Sequence, residues 1–492
     1  MASTDTTTRT SSSRRRSRRS HRTEWHLRRP VDAPAADRSF WLQDAPAGPA
    51  LPSLAGDTTA DVVIVGGGLT GLWTALRIRE AAPEKRVVVL EALTCGSGAS
   101  GRNGGQVHSW YESLDRLTHV TDAAEAERLA RATSEAIDEL HDLQSSGELD
   151  MGLRLDGWLW TASSRAQEGA WDDAVRASSA LGVDAYTPQD ADTIARSTGS
   201  TASYVGVRET HAGSLHPGKL MRGLRALAER RGVVIHEHTP VDTIRIGPRP
   251  SVVTPTGTVT ADAVLVATNV WASSIPELRR RMFIVDSEVI ATEPIPERLD
   301  ALGWTGGEAI CDAQQQVLYY QRTADGRIVF GRGSGRTIFA DRVGASLNRR
   351  SGERTDTVAE LHRVFPELSD VRIDYDWTGG IDCVPEHVPI FGALDDQRSV
   401  FYAVGWNGTA LAQIPACSRI IASMVLKRDD EWSGSKLIDQ TSPTLPPEPI
   451  RFIGANIVRA AVVRKNRAEI RNRRPGLLTR LILRLMPGSS EH

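Results

Sequence analysis

The chain has 492 residues, 40% of them hydrophobic, enough for two or three ordinary domains with true cores, which excludes a fibrous or wholly disordered protein. Its four cysteines, Cys95, Cys311, Cys383 and Cys417, are too scattered for a paired ligand motif and too few for a disulfide framework, a usage that points to a reducing, cytoplasmic setting. The net charge of −2 conceals two basic ends, since residues 1–30 carry nine arginines against Asp5 and Glu24, and no window approaches ~18 consecutive apolar residues, so no membrane span is expected.

The run "SSSRRRSRRSHR" is followed by "TEWHLRRPVDAPAADRSF" and not by an apolar segment, so residues 1–58 read as a basic, disordered tail and linker and not as an export signal. "ADVVIVGGGLTGLWTALRIREAAPEKRVVVLEA" then predicts a buried strand over 61–66, a glycine turn, a helix over 69–82 and a second strand over 87–91. Residues 122–145 have helical spacing, and "GWLWTA" at 157–162 alternates as a strand does. "LHPGKLMRGLRALAERRG" reads as a helix with Pro217 in its first turn and Gly232 just past its end. Short strands follow at 233–237 and 263–268.

From 284 to 405 the pattern becomes β-rich, with one helix near 355–365, and suggests an antiparallel sheet in a second domain. "VFYAVG" returns to a short apolar strand, and "WNGTALAQIPACSRIIASMVL" to a turn and a helix. The segment "GLLTRLILRLM" at 476–486 places Arg480 and Arg484 four residues apart, as in a basic amphipathic helix. Docking of its apolar stripe on the protein itself is the simpler expectation; an anionic membrane surface is the other.

Gly66, Gly68 and Gly71, with Leu69 and Thr70 between them, form a GxGxxG between strand and helix, and Glu91 ends the next strand. Glycines there let backbone N–H groups reach a pyrophosphate at a helix N-terminus, and the acid can accept from ribose hydroxyls, so the unit predicts a bound dinucleotide. Just beyond it, "SGRNGG" supplies Ser100, Gly101, Arg102, Asn103, Gly104 and Gly105, a loop stripped of side chains.

This loop resembles the one that runs along the cofactor in FAD-dependent oxidoreductases of the D-amino-acid oxidase and glycine oxidase superfamily. "THAGSLHPGKLMRGLRALAERRGVVIHEHTPV" and "WTGGIDCVPEHVPIFGAL" with "VFYAVGWNGTALA" are similar to its central and C-terminal segments, so the resemblance spans roughly 60–430. It implies an α/β fold with a Rossmann-like FAD domain and a mostly antiparallel substrate domain, as in two-domain flavoproteins of the glutathione-reductase type. The expected FAD domain comprises 59–105, 203–275 and 376–432, the substrate domain 106–202 and 276–375, and the C-terminal extension 433–492.

The resemblance further implies that the flavin ring lies against Gly104 and Gly105, with Arg102 and Asn103 as polar anchors. Val241 would contact the adenine side, and Thr268 would join the cofactor set. Gly405, Asn407 and Gly408 would stand at a helix N-terminus facing the flavin, although Ala410 replaces a glycine common in relatives. The positions that carry covalent flavin in some relatives match Arg102 and Gly379, so FAD is expected to be held non-covalently.

The activity implied is oxidation of a C–N bond, by hydride transfer from an amine to flavin N5 and hydrolysis of the imine. Arg322 in "YYQRT" and Arg332 or Arg336 in "FGRGSGR", near Tyr319 or Tyr320, are candidates to clamp an anionic substrate tail. His108 and Trp110 follow the flavin loop closely enough to face the substrate. "RSFWLQDA" and the glycine-rich loop look like the branch containing gamma-glutamylputrescine oxidases and proposed aminophosphonate oxidases, both acting on amines with anionic tails.

The electron acceptor is oxygen or a quinone, and a membrane-peripheral D-amino-acid dehydrogenase is the second enzyme reading. His236 and His238 lack a third ligand at metal spacing, so no metal is expected. The basic ends alone would suit a flavin-containing nucleic-acid sensor, but the middle of the chain is acidic and lacks interleaved aromatics, so no nucleic acid is expected.

Overall fold

The computed structural model describes residues 23–29, 39–46, 48–333, 335–341, 343–344 and 354–484. Its first sheet has six strands in the spatial order Val234–His236, Val87–Leu90, Val62–Val65, Ala263–Val266, Val400–Val404 and Ile390–Ala393. The first five run parallel and the last antiparallel. The central strands are apolar at nearly every position because both faces are covered.

Pleating sends Val62 and Ile64 to a helical layer containing Leu69–Ala81, Pro217–Arg230 and Gln413–Leu426. Val63 and Val65 face the other way, into a core closed by Trp25, Ile244, Val252 and Val259. Those four residues belong to a five-stranded sheet ordered Glu24–His26, Thr243–Arg245, Ser251–Thr254, Gly257–Thr260, Thr58–Thr59.

An eight-stranded sheet forms the second domain, in the order Ile373–Cys383, Phe283–Thr292, Ile328–Arg332, Leu318–Arg322, Ala309–Asp312, Trp158–Ala162, Val205–Glu209, Tyr186–Asp190. Every neighbouring pair is antiparallel except Ala309–Asp312 with Trp158–Ala162. One face packs on an aromatic core in which Trp304 and Phe365 stack at 5.7 Å and Tyr320 and Phe330 at 5.4 Å. Tyr319, one residue from Tyr320 and so on the opposite face, packs with Phe40, Trp41 and Trp377 toward the first domain. The two-domain α/β architecture is the one expected.

Several expectations change. Val205–Glu209 and Ile373–Cys383 pair in the eight-stranded sheet, so the boundaries drawn at 203 and 376 shift to follow those strands. The segment expected to be a tail is built in where it is described: Glu24–His26 pairs with Thr243–Arg245, and the short helix Phe40–Asp44 buries Phe40 and Trp41. Two aromatic clusters among polar residues give this segment enough apolar surface to dock. The arginine run itself, in 1–22, lies outside the described residues.

The C-terminal extension contains a long helix, Ile450–Ile470, that the sequence did not announce, followed by Leu477–Leu483. The second of these buries only Thr479 and turns Leu477, Leu478 and Leu481 outward, so the expected docking of its apolar stripe on the protein is not what forms. Among the described residues no helix is long and apolar enough to cross a membrane.

Candidate active site

The C-terminal ends of four adjacent parallel strands meet on one edge of the first sheet. Gly66 follows Val62–Val65, Glu91 follows Val87–Leu90, Thr268 follows Ala263–Val266, and Gly405 follows Val400–Val404. A parallel α/β sheet binds its ligand at such an edge. Gly66 has φ +112°, and a Cβ there would lie 2.5 Å from the Ala267 carbonyl oxygen. A Cβ at Gly71 would overlap the Gly66 carbonyl oxygen, so the glycines also set the closest approach of helix to strand.

Glu91 Oε2 accepts from Gly67 N at 2.8 Å and Oε1 from Leu93 N at 2.9 Å, with burial raising the carboxyl's pKa against those N–H groups. A carboxylate has about four acceptor lobes, so capacity remains for ribose hydroxyls. Thr268 Oγ1, Asn269 Oδ1 and Trp271 Nε1 are buried at the same edge with no hydrogen-bond partner among the described residues. Orphaned buried polar atoms at strand ends fit a polar ligand that satisfies them. Val241 lies buried in the core under the five-stranded sheet.

The loop 98–105 is pinned from several sides. Ser100 Oγ accepts from Leu69 N at 3.0 Å, tying the loop to the start of the GxGxxG helix. Arg102 is buried, its Nε donating to Ser97 O at 2.9 Å and Nη1 to Thr378 O at 3.2 Å. Asn103 Nδ2 donates to Ser100 O at 2.8 Å and its Oδ1 accepts from Gly105 N at 2.9 Å. Both residues therefore shape the loop's own backbone. Three side chains that no sequence motif singles out complete the clamp: Ser39 Oγ on Gly101 O at 3.0 Å, and the indoles of Trp41 on Asn103 O and Trp377 on Arg102 O, each at 2.9 Å.

Gly104 and Gly105 also have a packing reason to lack side chains. A Cβ at Gly104 would lie 2.6 Å from the Tyr319 ring, and one at Gly105 would overlap Gln321 Nε2 and the Leu215 carbonyl oxygen. Protein packs against both glycines, and Gln321 Nε2 donates to Gly104 O at 2.6 Å. This seam joins the loop to the eight-stranded sheet.

At Gly405 (φ +88°), Asn407 (φ +55°) and Gly408 (φ +89°) the chain turns, and the helix begins only at Gln413, so these residues precede the helix and do not cap it. The turn is organised by Asp382. Its Oδ2 accepts from Gly405 N at 2.6 Å, and its Oδ1 from Asn269 Nδ2 at 2.7 Å and Trp406 N at 3.3 Å. Asn407 Oδ1 accepts from Val384 N at 2.9 Å. Burial pushes the Asp382 carboxyl up to about 7 in spite of these donors. A lone acid inside the apolar run "GGIDCV" was the signal that could have marked it.

The substrate-side candidates separate. Arg322 is committed to Asp300 Oδ1 at 2.7 Å and to the Trp304 carbonyl, which makes it a brace and removes it from the clamp. Trp110 lies in the main hydrophobic core and not at the loop face. His108 is buried, stacked on Trp158 at 4.7 Å, and burial lowers its pKa, so it is neutral at neutral pH. Tyr319 Oη bonds Ser287 Oγ at 3.0 Å while its ring covers Gly104.

Arg332 pairs with Leu318 and so shares the face of Leu318 and Tyr320, opposite Tyr319 and the loop, which removes it from the clamp as well; it is largely buried, with Nη2 donating to Gln316 Oε1 at 3.1 Å and Nη1 3.5 Å from Asp356 Oδ2. Its Nη1 has no hydrogen-bond partner among the described residues. Arg336 and Arg459 add positive charge nearby, and burial first, then the charges of Arg332 and Arg336, lower the Arg459 pKa. Among the described residues no group of acids, histidines and cysteines could hold a metal ion.

A glycine turn and an acid at adjacent parallel strand ends, joined to a mostly antiparallel second sheet, define a two-domain α/β protein with a dinucleotide-type edge. Residues 61–424 match the model of the FAD dependent oxidoreductase family, and the chain belongs to that family. It is 31% identical over 371 residues to gamma-glutamylputrescine oxidoreductase of Escherichia coli strain K12, covering 75% of this chain and 84% of that one. Its fold matches the crystal structure of glycine oxidase from Geobacillus kaustophilus with a TM-score of 0.63 at 19% identity, over 78% of this chain and 99% of that one. L-proline dehydrogenase from P. horikoshii matches with a TM-score of 0.63 at 17% identity, over 78% and 96%. The protein is thus an FAD-dependent oxidoreductase.

Proposed function

We propose that the protein oxidises the C–N bond of a small amine that carries an anionic tail. The observation that supports this reading is the 31% identity to gamma-glutamylputrescine oxidoreductase, whose named substrate carries a glutamyl carboxylate beside its amine, together with the Tyr319 ring that stands over the loop at Gly104, held by its bond to Ser287. Bound FAD supplies the two-electron acceptor, so the amine loses a hydride from the carbon beside nitrogen and leaves as an imine that water hydrolyses.

Tyr319 orients the substrate beside the loop, and the neutral His108 supports the wall behind the loop through its stack on Trp158. Initial rates with gamma-glutamylputrescine and 2-aminoethylphosphonate should exceed those with putrescine, which has a second cation instead of an anion, by at least about tenfold in kcat/KM. Equal rates for cationic and anionic amines would contradict the reading.

FAD is held without a covalent bond in this reading. Arg102 and Gly379 offer no nucleophile, and burial pushes the Cys383 thiol up and keeps it protonated. Acid precipitation should release all flavin into the supernatant; a yellow pellet would show a covalent link. The acceptor is oxygen or a quinone and the setting cytoplasmic. The D-amino-acid dehydrogenase reading gains support only from the apolar C-terminal surface, which would suit a quinone-linked enzyme at a bilayer.

A further inference from the structure

Six of the eight large hydrophobic side chains that stand exposed among the described residues belong to the C-terminal helix pair: Ile450, Ile453, Ile457, Leu477, Leu478 and Leu481. Leu477 and Leu478 are 72% and 68% exposed, whereas the buried members of the short helix reduce to Thr479. A helix that faces water with its leucines and buries its threonine is inverted relative to the usual rule.

The long helix shows the same inversion along one stripe. Ile450, Ile453 and Ile457 occupy the outer face of its first turns, and Arg464, Arg467 and Arg471 continue that stripe toward its C-terminus. Its inner face buries Ala461, Val462, Asn466 and Glu469.

The helix is fixed to the body and is not a swinging tail. Arg451 Nη1 donates to Arg279 O at 2.9 Å, Asn456 Nδ2 to Thr337 Oγ1 at 3.0 Å, and Arg459 Nε to Gly335 O at 3.1 Å. Beyond its other end Asn472 Oδ1 accepts from Arg165 N at 3.3 Å. Between the two helices Arg473 and Arg474 are exposed, and Arg480 is exposed beside Leu481. Residues 451–484 carry ten arginines or lysines against a single acid, Glu469.

We propose that the outer face of this helix pair lies on an anionic lipid bilayer, the isoleucines and leucines entering the headgroup boundary and the flanking arginines meeting lipid phosphates. Charge selects this occupant. A second copy of the chain would bring the same cations to the same apolar face, so a symmetric dimer would repel itself there. The Ser/Thr/Arg sequence of residues 1–22 offers no apolar stripe to cover it. Apolar burial together with electrostatic attraction is the combination that holds an in-plane helix on an anionic surface.

The test is co-sedimentation of the full-length holoprotein with vesicles of phosphatidylcholine, with and without phosphatidylglycerol, read by flavin absorbance in the pellet. A triple variant, Leu477→Ser with Leu478→Ser and Leu481→Ser, alters only exposed side chains and should keep its flavin. Wild type should pellet with the anionic vesicles and far less with neutral ones, and the triple variant should lose at least about tenfold in partitioning. Absence of binding to anionic vesicles would overturn the proposal. So would undiminished binding of the triple variant, since the basic N-terminal residues would then suffice, or a lipid-free dimer that the same three substitutions dissociate.

Discussion

Gly71→Ala should yield a protein without bound FAD. The new methyl group would overlap the Gly66 carbonyl oxygen, and Ile64 Cγ2 lies 3.2 Å away on the other side, so neither neighbour can yield without moving the central strand. Both contacts lie inside the strand–turn–helix unit whose backbone must approach the pyrophosphate. Overpacking of this kind costs about 3 kcal/mol at the upper end of its usual range, some hundredfold in an equilibrium, and here it acts on folding and cofactor binding together.

Gly66→Ala should be similarly severe, through positive φ and the Ala267 carbonyl. Gly68→Val meets first the Ser100 hydroxyl, which lies 2.9 Å from where a Cβ would stand and can rotate away, although Leu69 N then loses its acceptor. The ratio of flavin to protein in the purified variants checks this order. A full flavin complement in Gly71→Ala would show that the helix does not pack as described.

Asp382→Ala should be the second large loss, reached from the opposite end of the site. Removing the carboxylate strands three buried donors, Gly405 N, Trp406 N and Asn269 Nδ2. At about 1–3 kcal/mol for each unsatisfied group the variant loses roughly 3 kcal/mol or more, and the Gly405 turn loosens at the cofactor edge. Urea unfolding followed by flavin release measures it; a midpoint unchanged from wild type would show that water replaces the carboxylate without cost.

The same residue gives a pH signature. Its carboxyl titrates at about 7 when folded, against an ordinary 3.8. Between those values the folded protein keeps a proton that the unfolded chain has released. The associated stability is complete below the unfolded value, declines as pH rises through the folded one, and then levels off. Glu209, Asp286 and Asp312 are raised by burial as well and share this limb. The difference between wild-type and Asp382→Asn stability curves therefore isolates Asp382, and it should slope across pH 4 to 7.

The nucleotide-binding unit was legible in the sequence because its determinants are local. A four-residue valine and isoleucine run covered on both faces, three glycines and an acid at the next strand end all fall within residues 62–91. Pro217 at the first helical turn likewise announced Pro217–Arg230. The partners that decided the other cases are distant or chemically neutral in pattern. Small residues at 104 and 105 signal a close approach without saying that Tyr319 and Gln321 make it.

Arg322 looked free because Asp300, its partner, lies on another element. The helix Ile450–Ile470 escaped notice because Ala461, Val462, Asn466 and Glu469 do not make an apolar stripe. Ser39 and Trp41 sit in a segment that reads as a linker, yet they hold the loop 98–105 by backbone carbonyls that carry no sequence signal.

Anaerobic titration of the purified protein, followed at the flavin absorbance band, tests the assignment most directly. A yellow protein whose band is bleached by gamma-glutamylputrescine or 2-aminoethylphosphonate, and far less readily by glycine or D-alanine, is the predicted result. Bleaching by the simple amino acids alone would contradict the proposed substrate, an amine with an anionic tail, and a colourless protein that takes up no FAD would contradict the reading of the strand-end site itself.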